Sequence, residues 1–184
     1  MKTCGVLALQ GDFEAHCRAI ERAGGHAKEV RTQADLEECD SLIIPGGEST
    51  TMLKLLEEED LVDPLRKFAD VHPVYGSCAG AILLAREVSH PPQPSLGLLD
   101  IAIERNAYGR QMDSRISKLD APGGEMEAVF IRAPIIRKTG EGVRTLAAYQ
   151  GDPVWVEQGR HMVTTFHPEL TADLRVHRRL LDKT

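Results

Sequence analysis

The sequence predicts an α/β fold of three layers, in which helices flank a mostly parallel sheet. Apolar runs of strand length, at residues 4–9, 41–44 and 74–75, alternate with segments whose apolar residues recur at helical spacing. Each of the three runs ends at a turn that contains glycine. Because strands that alternate with helices pair in parallel, we expect the carboxyl ends of these strands to meet at one edge of the sheet.

The first half of the chain supplies most of the predicted parallel sheet. Phe13, Cys17 and Ile20 define the apolar face of a first helix, which ends at the glycines of 24–25. A strand at 28–31 and a short helix at 34–38 come next, followed by a strand at 41–44. Two helices, at 49–60 and 64–69, then lead to a strand at 74–75 and a buried helix at 81–87.

The second half is richer in strands, and it ends in a predicted β-hairpin. Strands are expected at 97–104, 128–132 and 144–149, with proline- and glycine-rich loops at 90–95 and 120–125. The hairpin pairs 153–157 with 160–166 across Gln158 and Gly159. The basic residues of the C-terminal segment predict the exposed face of a terminal helix; they are Arg175, His177, Arg178 and Arg179. No linker divides the chain, so we expect a single domain over 1–184.

Composition excludes several classes of function. A formal net charge of −6 argues against a nucleic-acid-binding surface. The four cysteines lack the spacing of a zinc site or a disulfide framework, and reduced thiols fit a cytoplasmic protein. No apolar run approaches the ~20 residues of a membrane span. His161 and His167 have no further ligand at metal-binding spacing, so we predict neither a metal nor a cofactor.

The segment Gly76-Ser77-Cys78-Ala79-Gly80 follows the third apolar run and indicates a reactive cysteine. Gly-x-Cys-x-Gly is the thiol counterpart of the nucleophile elbow, a sharp turn from strand to helix that requires small flanking residues. We expect this turn to hold Cys78 toward solvent, at the start of a helix whose free N–H groups favour a thiolate. The motif alone fits a buried structural cysteine equally well, so a base must be found elsewhere.

His167-Pro168-Glu169 supplies a candidate base and its partner. In an extended segment, residues i and i+2 point the same way, so the imidazole and the carboxylate can lie side by side. A carboxylate on one ring nitrogen selects the tautomer that accepts a proton from a thiol. Taken alone, the tripeptide is also consistent with an ordinary surface loop.

Two backbone N–H groups complete the predicted chemistry. The N–H of Ala79 follows the nucleophile, and the N–H of Gly47 lies in the loop after the second run, so both are candidates for an oxyanion hole. Nucleophile, base, orienting carboxylate and oxyanion donors together favour acyl transfer from a small amide or ester.

Further motifs give the chain a resemblance to a known family. With the cysteine elbow followed far downstream by His-Pro-Glu, it resembles the class I (triad) glutamine amidotransferases, which have a flavodoxin-like fold. Within that class it resembles the glutaminase subunits of pyridoxal 5'-phosphate synthase, through residues 7–11, 45–51, 104–111, 129–134 and 166–170. We see no departure from the family pattern at these motifs. The loops 90–95 and 120–125 lie outside them and are expected to vary without touching the chemistry.

The resemblance implies hydrolysis of L-glutamine by Cys78 as nucleophile, His167 as base and Glu169 as its orienter. The family's glutamine contacts fall on Gly47, Glu48, Ser49, Arg105, Ile131 and Arg132. Without the family, surface ion pairs are the simpler interpretation of the two arginines. The resemblance also implies a partner, a barrel-shaped synthase subunit in a large hetero-oligomer, which receives the ammonia for vitamin B6 synthesis and whose docking sets the oxyanion donors of the 46–47 loop.

The residues leave three alternative functions open. The first is the amidotransferase subunit of another biosynthetic complex, the second is a binding subunit without turnover, and the third is a free-standing thiol peptidase or esterase. The intact Cys78, His167 and Glu169 count against the second alternative, and the order and spacing of the motifs count against the third.

Overall fold

The structure is a computed structural model that describes residues 1–107 and 114–184. The strands in these ranges are β1 Thr3–Leu7, β2 His26–Val30, β3 Ser41–Ile44, β4 Val74–Ser77, β5 Ala85–Ser89, β6 Leu99–Glu104, β7 Ser114–Ala121, β8 Gly124–Ile131, β9 Ile135–Thr139, β10 Arg144–Tyr149, β11 Asp152–Gln158 and β12 His161–Thr164. The helices are α1 Phe13–Arg22, α2 Gln33–Glu37, α3 Ser49–Glu58, α4 Val62–Val71, α5 Ala79–Leu84 and α6 Arg175–Asp182, with a 3-10 turn over Pro168–Leu170.

The central sheet has seven strands in the order β10-β11-β12-β4-β3-β1-β2. The five strands from β12 to β2 are parallel, and β10 and β11 extend the sheet as antiparallel strands at one edge. The parallel part follows the flavodoxin-like order, in which strands on either side of β1 connect in opposite directions. The predicted C-terminal hairpin is confirmed as β11 and β12, with Gln158 opposite His161.

Side chains of the parallel strands alternate between two cores, as expected for a sheet covered on both faces. Leu42 and Ile44 of β3 pack into a core shared with α3, α4 and α5, while Ile43 packs into a second core with α1 and α6. The prediction of a mostly parallel sheet between helices is confirmed.

Two small sheets complete the fold. β5, β6 and β9 form a three-stranded sheet whose Ile101, Ile103 and Ile136 join the first core. β7 and β8 form an antiparallel hairpin whose Leu119 and Phe130 join the second. The prediction of a helix over 81–87 is wrong beyond Leu84. There the backbone turns extended and pairs with β6, and these tertiary hydrogen bonds override the helical propensity of Arg86 and Glu87.

Two sequence predictions near the second core also need correction. The 120–125 segment is mostly strand, because β7 runs to Ala121 and β8 begins at Gly124. The buried face of α1 is formed by Ala15, His16, Ala19 and Ile20, whereas Phe13 and Cys17 are only half-buried. A histidine therefore occupies the centre of a face that the apolar pattern assigned to its neighbours.

Candidate active site

Loops from four neighbouring parallel strands meet at one edge of the central sheet, where their carboxyl ends lie. Backbone hydrogen bonds join these loops directly. The N–H of Asp12, after β1, donates to the carbonyl of Gly46, after β3, at 3.3 Å. The N–H of Cys78, after β4, donates to the carbonyl of Thr164 at the end of β12, at 2.9 Å. The loops that follow the parallel strands therefore meet at one edge of the sheet, as the turn glycines predicted.

Cys78 occupies a sharp turn between β4 and α5. Its backbone angles are φ 50° and ψ −104°, outside the regions that residues with a side chain ordinarily adopt. A Cβ on Gly76 would lie 2.5 Å from backbone atoms of Gly80, and a Cβ on Gly80 would overlap the carbonyl of Ile44. Both glycines are therefore required by the close approach of helix and sheet, which is the steric reason for the Gly-x-Cys-x-Gly pattern.

The expectation that Cys78 faces solvent is wrong. The residue is only 8% exposed, and its Sγ lies 3.8 Å from the carbonyl oxygen of Ile131 at the end of β8. Gly46 covers it from another side, since a Cβ built there would lie 3.5 Å from the Cβ of Cys78. The thiol is thus enclosed by two loops that carry predicted substrate contacts.

His167 lies against the same glycine as Cys78. A Cβ on Gly46 would come within 2.6 Å of Cε1 of His167, so the imidazole and the thiol share this small space. The Nδ1 atom of His167 is 2.7 Å from Oε1 of Glu169, and both side chains are buried. Burial favours neutral imidazole, but the contacts with Cys78 and Glu169 outweigh it and raise the pKa of His167 to about 10.

The predicted oxyanion donors belong to the residues that follow Cys78 and Gly46 in the chain. Ala79 is the first residue of α5, so its N–H belongs to the first turn, which has no partner within the helix. The carbonyl of Gly46 points toward the 10–12 loop, and the N–H of Gly47, on the same planar peptide, points the opposite way. Oε1 of Gln10 accepts the N–H of Glu48 at 3.0 Å, and Gly47 leaves room for this side chain. Gln10 therefore supports the 46–48 loop. The sequence placed Gln10 at the same edge of the sheet but gave it no role.

The predicted glutamine contacts are distributed around this edge. Gly47 and Glu48 are exposed, whereas Ser49 is buried and its hydroxyl donates to Oε1 of Gln93 at 3.0 Å. Gln93 of the 90–95 loop therefore contacts a predicted substrate residue, and the expectation that this loop can vary without touching the chemistry stays a prediction. Ile131 contributes the carbonyl that faces Cys78.

The two predicted arginines belong to different strands. Arg105 follows β6, and its N–H donates to the carbonyl of Ser89 at 2.9 Å. Arg132 follows β8, is exposed, and has a φ of 42°. Neither guanidinium takes part in an ion pair among the described residues, so the surface ion pairs considered above are not found there. The rest of the motif around Arg105, Tyr108 to Gln111, lies outside the described residues.

A group of buried polar side chains behind Glu169 was missed by sequence reasoning. His16 and His177 are fully buried, with Nδ1 of His16 at 3.0 Å from Nε2 of His177. Nε2 of His16 lies 3.0 Å from the hydroxyl of Ser77 and 3.4 Å from Oε2 of Glu169. The assignment of His177 to an exposed helix face is wrong, because His177 lies on the buried face of α6 and contacts His16 of α1.

The rest of the basic C-terminal cluster has a structural role. Arg175 donates to the carbonyls of Pro122, Gly124 and Glu125, and so holds the β7–β8 turn. Arg179 is bonded to Glu157 of β11 at 2.8 Å. Arg178 remains exposed, as predicted.

Residues 1–107 and 114–184 contain no helix with both the length and the apolar character needed to cross a bilayer. In the same residues, no cluster of three or more His, Cys, Asp and Glu side chains is arranged to hold a metal ion.

Comparison with known proteins gives a consistent result. Residues 6–184 match the model of the SNO glutamine amidotransferase family. The chain is 58% identical over 192 aligned positions to the pyridoxal 5'-phosphate synthase subunit PdxT of Solibacter usitatus, covering 100% of both chains. It is 51% identical to the PdxT of Thermus thermophilus, covering 97% of this chain and 95% of that one.

Solved structures agree with the sequence relatives. A crystal structure described as a glutamine amidotransferase superposes with a TM-score of 0.93 at 49% identity, covering 98% of this chain and 97% of the other. The PurLQS structure from Thermotoga maritima gives a TM-score of 0.70 at 17% identity over 98% of this chain and 97% of that chain, which shows a shared fold.

Proposed function

The chain belongs to the SNO glutamine amidotransferase family, and from that premise we propose that it hydrolyses L-glutamine with Cys78, His167 and Glu169 and supplies ammonia to a pyridoxal 5'-phosphate synthase. One observation carries the assignment of the residues. A strained cysteine and a buried histidine lie against the same glycine, and the histidine is bonded to a buried carboxylate at 2.7 Å. This is the nucleophile, base and orienter arrangement of covalent acyl transfer.

In the first half of the reaction, the thiolate of Cys78 attacks the carbonyl carbon of the glutamine side-chain amide. The carbonyl electrons move to oxygen, and the N–H groups of Ala79 and Gly47 stabilise that oxyanion. When the tetrahedral intermediate collapses, the C–N bond breaks and His167 gives its proton to the nitrogen, which leaves as ammonia. The product at the enzyme is a glutamyl thioester on Cys78.

In the second half, a water molecule attacks the thioester while His167 accepts its proton. Collapse of this intermediate breaks the C–S bond and regenerates the thiolate beside the imidazolium of His167, and the carboxylic acid loses its proton to solvent and leaves as glutamate. Glu169 accepts the Nδ1 proton of His167 throughout, which leaves Nε2 for both transfers. The elevated pKa of His167 fits this role, because imidazolium forms in each half of the cycle.

The glutamine itself is proposed to lie among Gly47, Glu48, Ser49, Arg105, Ile131 and Arg132. A guanidinium forms paired hydrogen bonds with a carboxylate, so Arg105 and Arg132 suit the α-carboxylate of glutamine. The carbonyl of Ile131, already beside Sγ, is an acceptor for the substrate amide or the departing ammonia.

The partner is proposed to be a barrel synthase that takes up the ammonia and forms a large hetero-oligomer with this chain. Docking of the synthase is proposed to orient the N–H of Gly47 toward the oxyanion. The hydrogen bonds that hold Gly46 and Glu48 to the 10–12 loop support this idea. They make the loop a defined element that a partner can shift as a unit.

The test is ammonia release from glutamine, measured alone and with a pyridoxal 5'-phosphate synthase subunit. We expect strong activation by the synthase in the wild type, and loss of release to the level of the blank in Cys78→Ala and His167→Asn. Circular dichroism must show that both variants keep the wild-type fold. Ammonia release by folded Cys78→Ala would refute the assigned nucleophile. Equal activity with and without the synthase would refute the partner.

A further inference from the structure

Three buried side chains, Ser77, His16 and His177, extend from Glu169 into the core and take no part in the reaction described above. All are 0% exposed. Ser77 belongs to β4, His16 to α1 and His177 to α6, so three separate elements each contribute a polar group to one point behind the triad. Buried polar groups are costly unless they are bonded, which makes such a cluster informative about function.

Both histidines of the cluster are neutral. Burial lowers the pKa of His16 well below its ordinary value, and the nearby His177 and His167 lower it further. Burial and then the charge of Arg22 lower the pKa of His177 to about 4. Each ring therefore carries one proton, and its position on the ring decides which neighbours can be bonded.

The contacts select one arrangement of these protons. Nδ1 of His177 is buried and has no hydrogen-bond partner among the described residues. A buried N–H without an acceptor is rarer in proteins than a bare acceptor, so the proton of His177 belongs on Nε2, where it donates to Nδ1 of His16. The proton of His16 is then on Nε2, which faces Ser77 and Glu169. The opposite arrangement would place a lone pair of His16 against a carboxylate oxygen.

We propose that His16, held in its Nε2–H tautomer by His177, is a positioning residue for the catalytic triad. Its Nε2 is bonded to Ser77 and lies 3.4 Å from Oε2 of Glu169, so it favours negative charge on that oxygen and keeps Oε1 on His167. The contact of 3.4 Å to Oε2 is long for a hydrogen bond, so the effect on Glu169 is mainly electrostatic. This inference rests on the proposed function, because it assumes that Glu169 orients the catalytic base.

None of the other groups considered around Glu169 is placed to stabilise a negative charge on its Oε2 atom. His167 bonds the opposite oxygen, and the Tyr75 hydroxyl is neutral, since burial and then Glu169 raise its pKa well above the ordinary value. Cys78 interacts with the far side of His167. Arg22 donates to the carbonyl of Ala172 at 3.4 Å and is not among the ion-pair partners of Glu169 in the described residues. Oε2 has no hydrogen-bond partner among the described residues, so the N–H of His16 is the dipole placed to favour its negative charge.

The pH dependence of glutaminase activity tests the proposal. His16→Leu removes the N–H that lies beside Glu169, so the carboxylate holds His167 less well, and the acid limb of the kcat profile moves to higher pH. We expect a shift of about one pH unit and a fall in kcat of about 10- to 100-fold, as for residues that orient a catalytic ligand, with little change in KM. His16→Gln, whose amide can donate at a similar reach, should recover part of both effects.

His161→Leu is the matched control. This histidine lies at the opposite end of β12, and its Nδ1 accepts the N–H of Val74. Its loss should lower stability without moving the acid limb. An unchanged acid limb and kcat in folded His16→Leu would overturn the proposal, and so would a His16→Gln variant no better than His16→Leu. Wild-type turnover that persists in Cys78→Ala would instead refute the proposed function.

A second measurement uses the wild-type protein and so does not depend on whether a variant folds. The ¹⁵N chemical shifts of the histidine rings in the wild-type protein distinguish the two neutral tautomers from imidazolium. We expect Nε2–H for both His16 and His177 between about pH 6 and pH 8. Nδ1–H on His16, or a charged ring in this range, would overturn the proposal whatever the enzyme's activity.

Discussion

Two buried glutamates, Glu157 and Glu169, have almost the same exposure, 7% and 8%, and different surroundings. Glu157 on β11 is bonded to Arg144 and Arg179, and Lys183 is 3.2 Å away. Glu169 contacts two histidines, and its ion pairs among the described residues include no arginine or lysine. Permanent cations compensate a carboxylate at every pH at which it is ionised, whereas His16 is neutral and His167 gains and loses a proton in the proposed reaction. The partners, more than the burial, therefore distinguish Glu157, which is held by permanent charges, from Glu169, which is proposed to act in catalysis.

The largest expected difference between the two glutamates is in activity. Glu169→Gln removes the negative charge that stabilises the imidazolium of His167, and its amide N–H can bond Nδ1 and select the wrong tautomer, so kcat for ammonia release should fall about 10²- to 10⁴-fold. Glu157→Gln should keep kcat within about twofold, because Glu157 belongs to the packing of β11 and α6. Equal losses in the two variants would show that the difference in partners does not matter for catalysis.

The stability of the two variants should differ in the opposite sense. Glu157→Gln leaves three cations without a carboxylate, and the free energy of unfolding at pH 7 should fall by about 1.5–3 kcal/mol, the range for hydrogen bonds to charged groups. Glu169→Gln should lose less, since only a histidine contact is broken. Urea unfolding of both variants beside the wild type measures this, and a larger loss in Glu169→Gln would contradict it.

A smaller effect is expected in the pH dependence of stability. The bond from Arg179, together with those from Arg144 and Lys183, outweighs burial and lowers the pKa of Glu157 from 4.5 to about 2. A lowered pKa in the folded state stabilises the protein above the unfolded value, and this contribution is lost as pH falls through the folded value. The difference between wild type and Glu157→Gln should therefore be complete above about pH 5 and shrink toward pH 2. A difference that stays constant over this range would show that charge is not its source.

The sheet was predictable from the sequence because it depends on local patterns, and the same holds for the proximity of Cys78, His167 and Glu169, whose catalytic roles stay a prediction. Apolar runs ended by glycine located the parallel strands, and the elbow and His-Pro-Glu motifs are short segments whose spacing carries the chemistry. The strands of the second half were harder to predict, because β5, β7 and β9 are defined by their pairing partners more than by their own residues.

The cluster behind the triad could not be predicted in the same way. His16 and His177 are 161 positions apart, and each looks polar in its own helix. Only the packing of α1 against α6 shows that the two rings bond to each other. A polar residue at the centre of an amphipathic helix was the one available signal, since Ala15, Ala19 and Ile20 surround His16 on the buried face of α1.

The reactivity of the four thiols tests the central claim most directly. Burial raises the pKa of Cys4 to about 12 and those of Cys17 and Cys39 to about 11, so these thiols remain protonated near neutral pH. Cys78 alone has His167 as a base. In the presence of the synthase, a chloroketone analogue of L-glutamine should label Cys78 alone, and excess glutamine should protect it. Labelling should be at least about tenfold slower in Glu169→Gln and unchanged in Glu157→Gln. Label on another cysteine, or the same rate in both variants, would contradict the account.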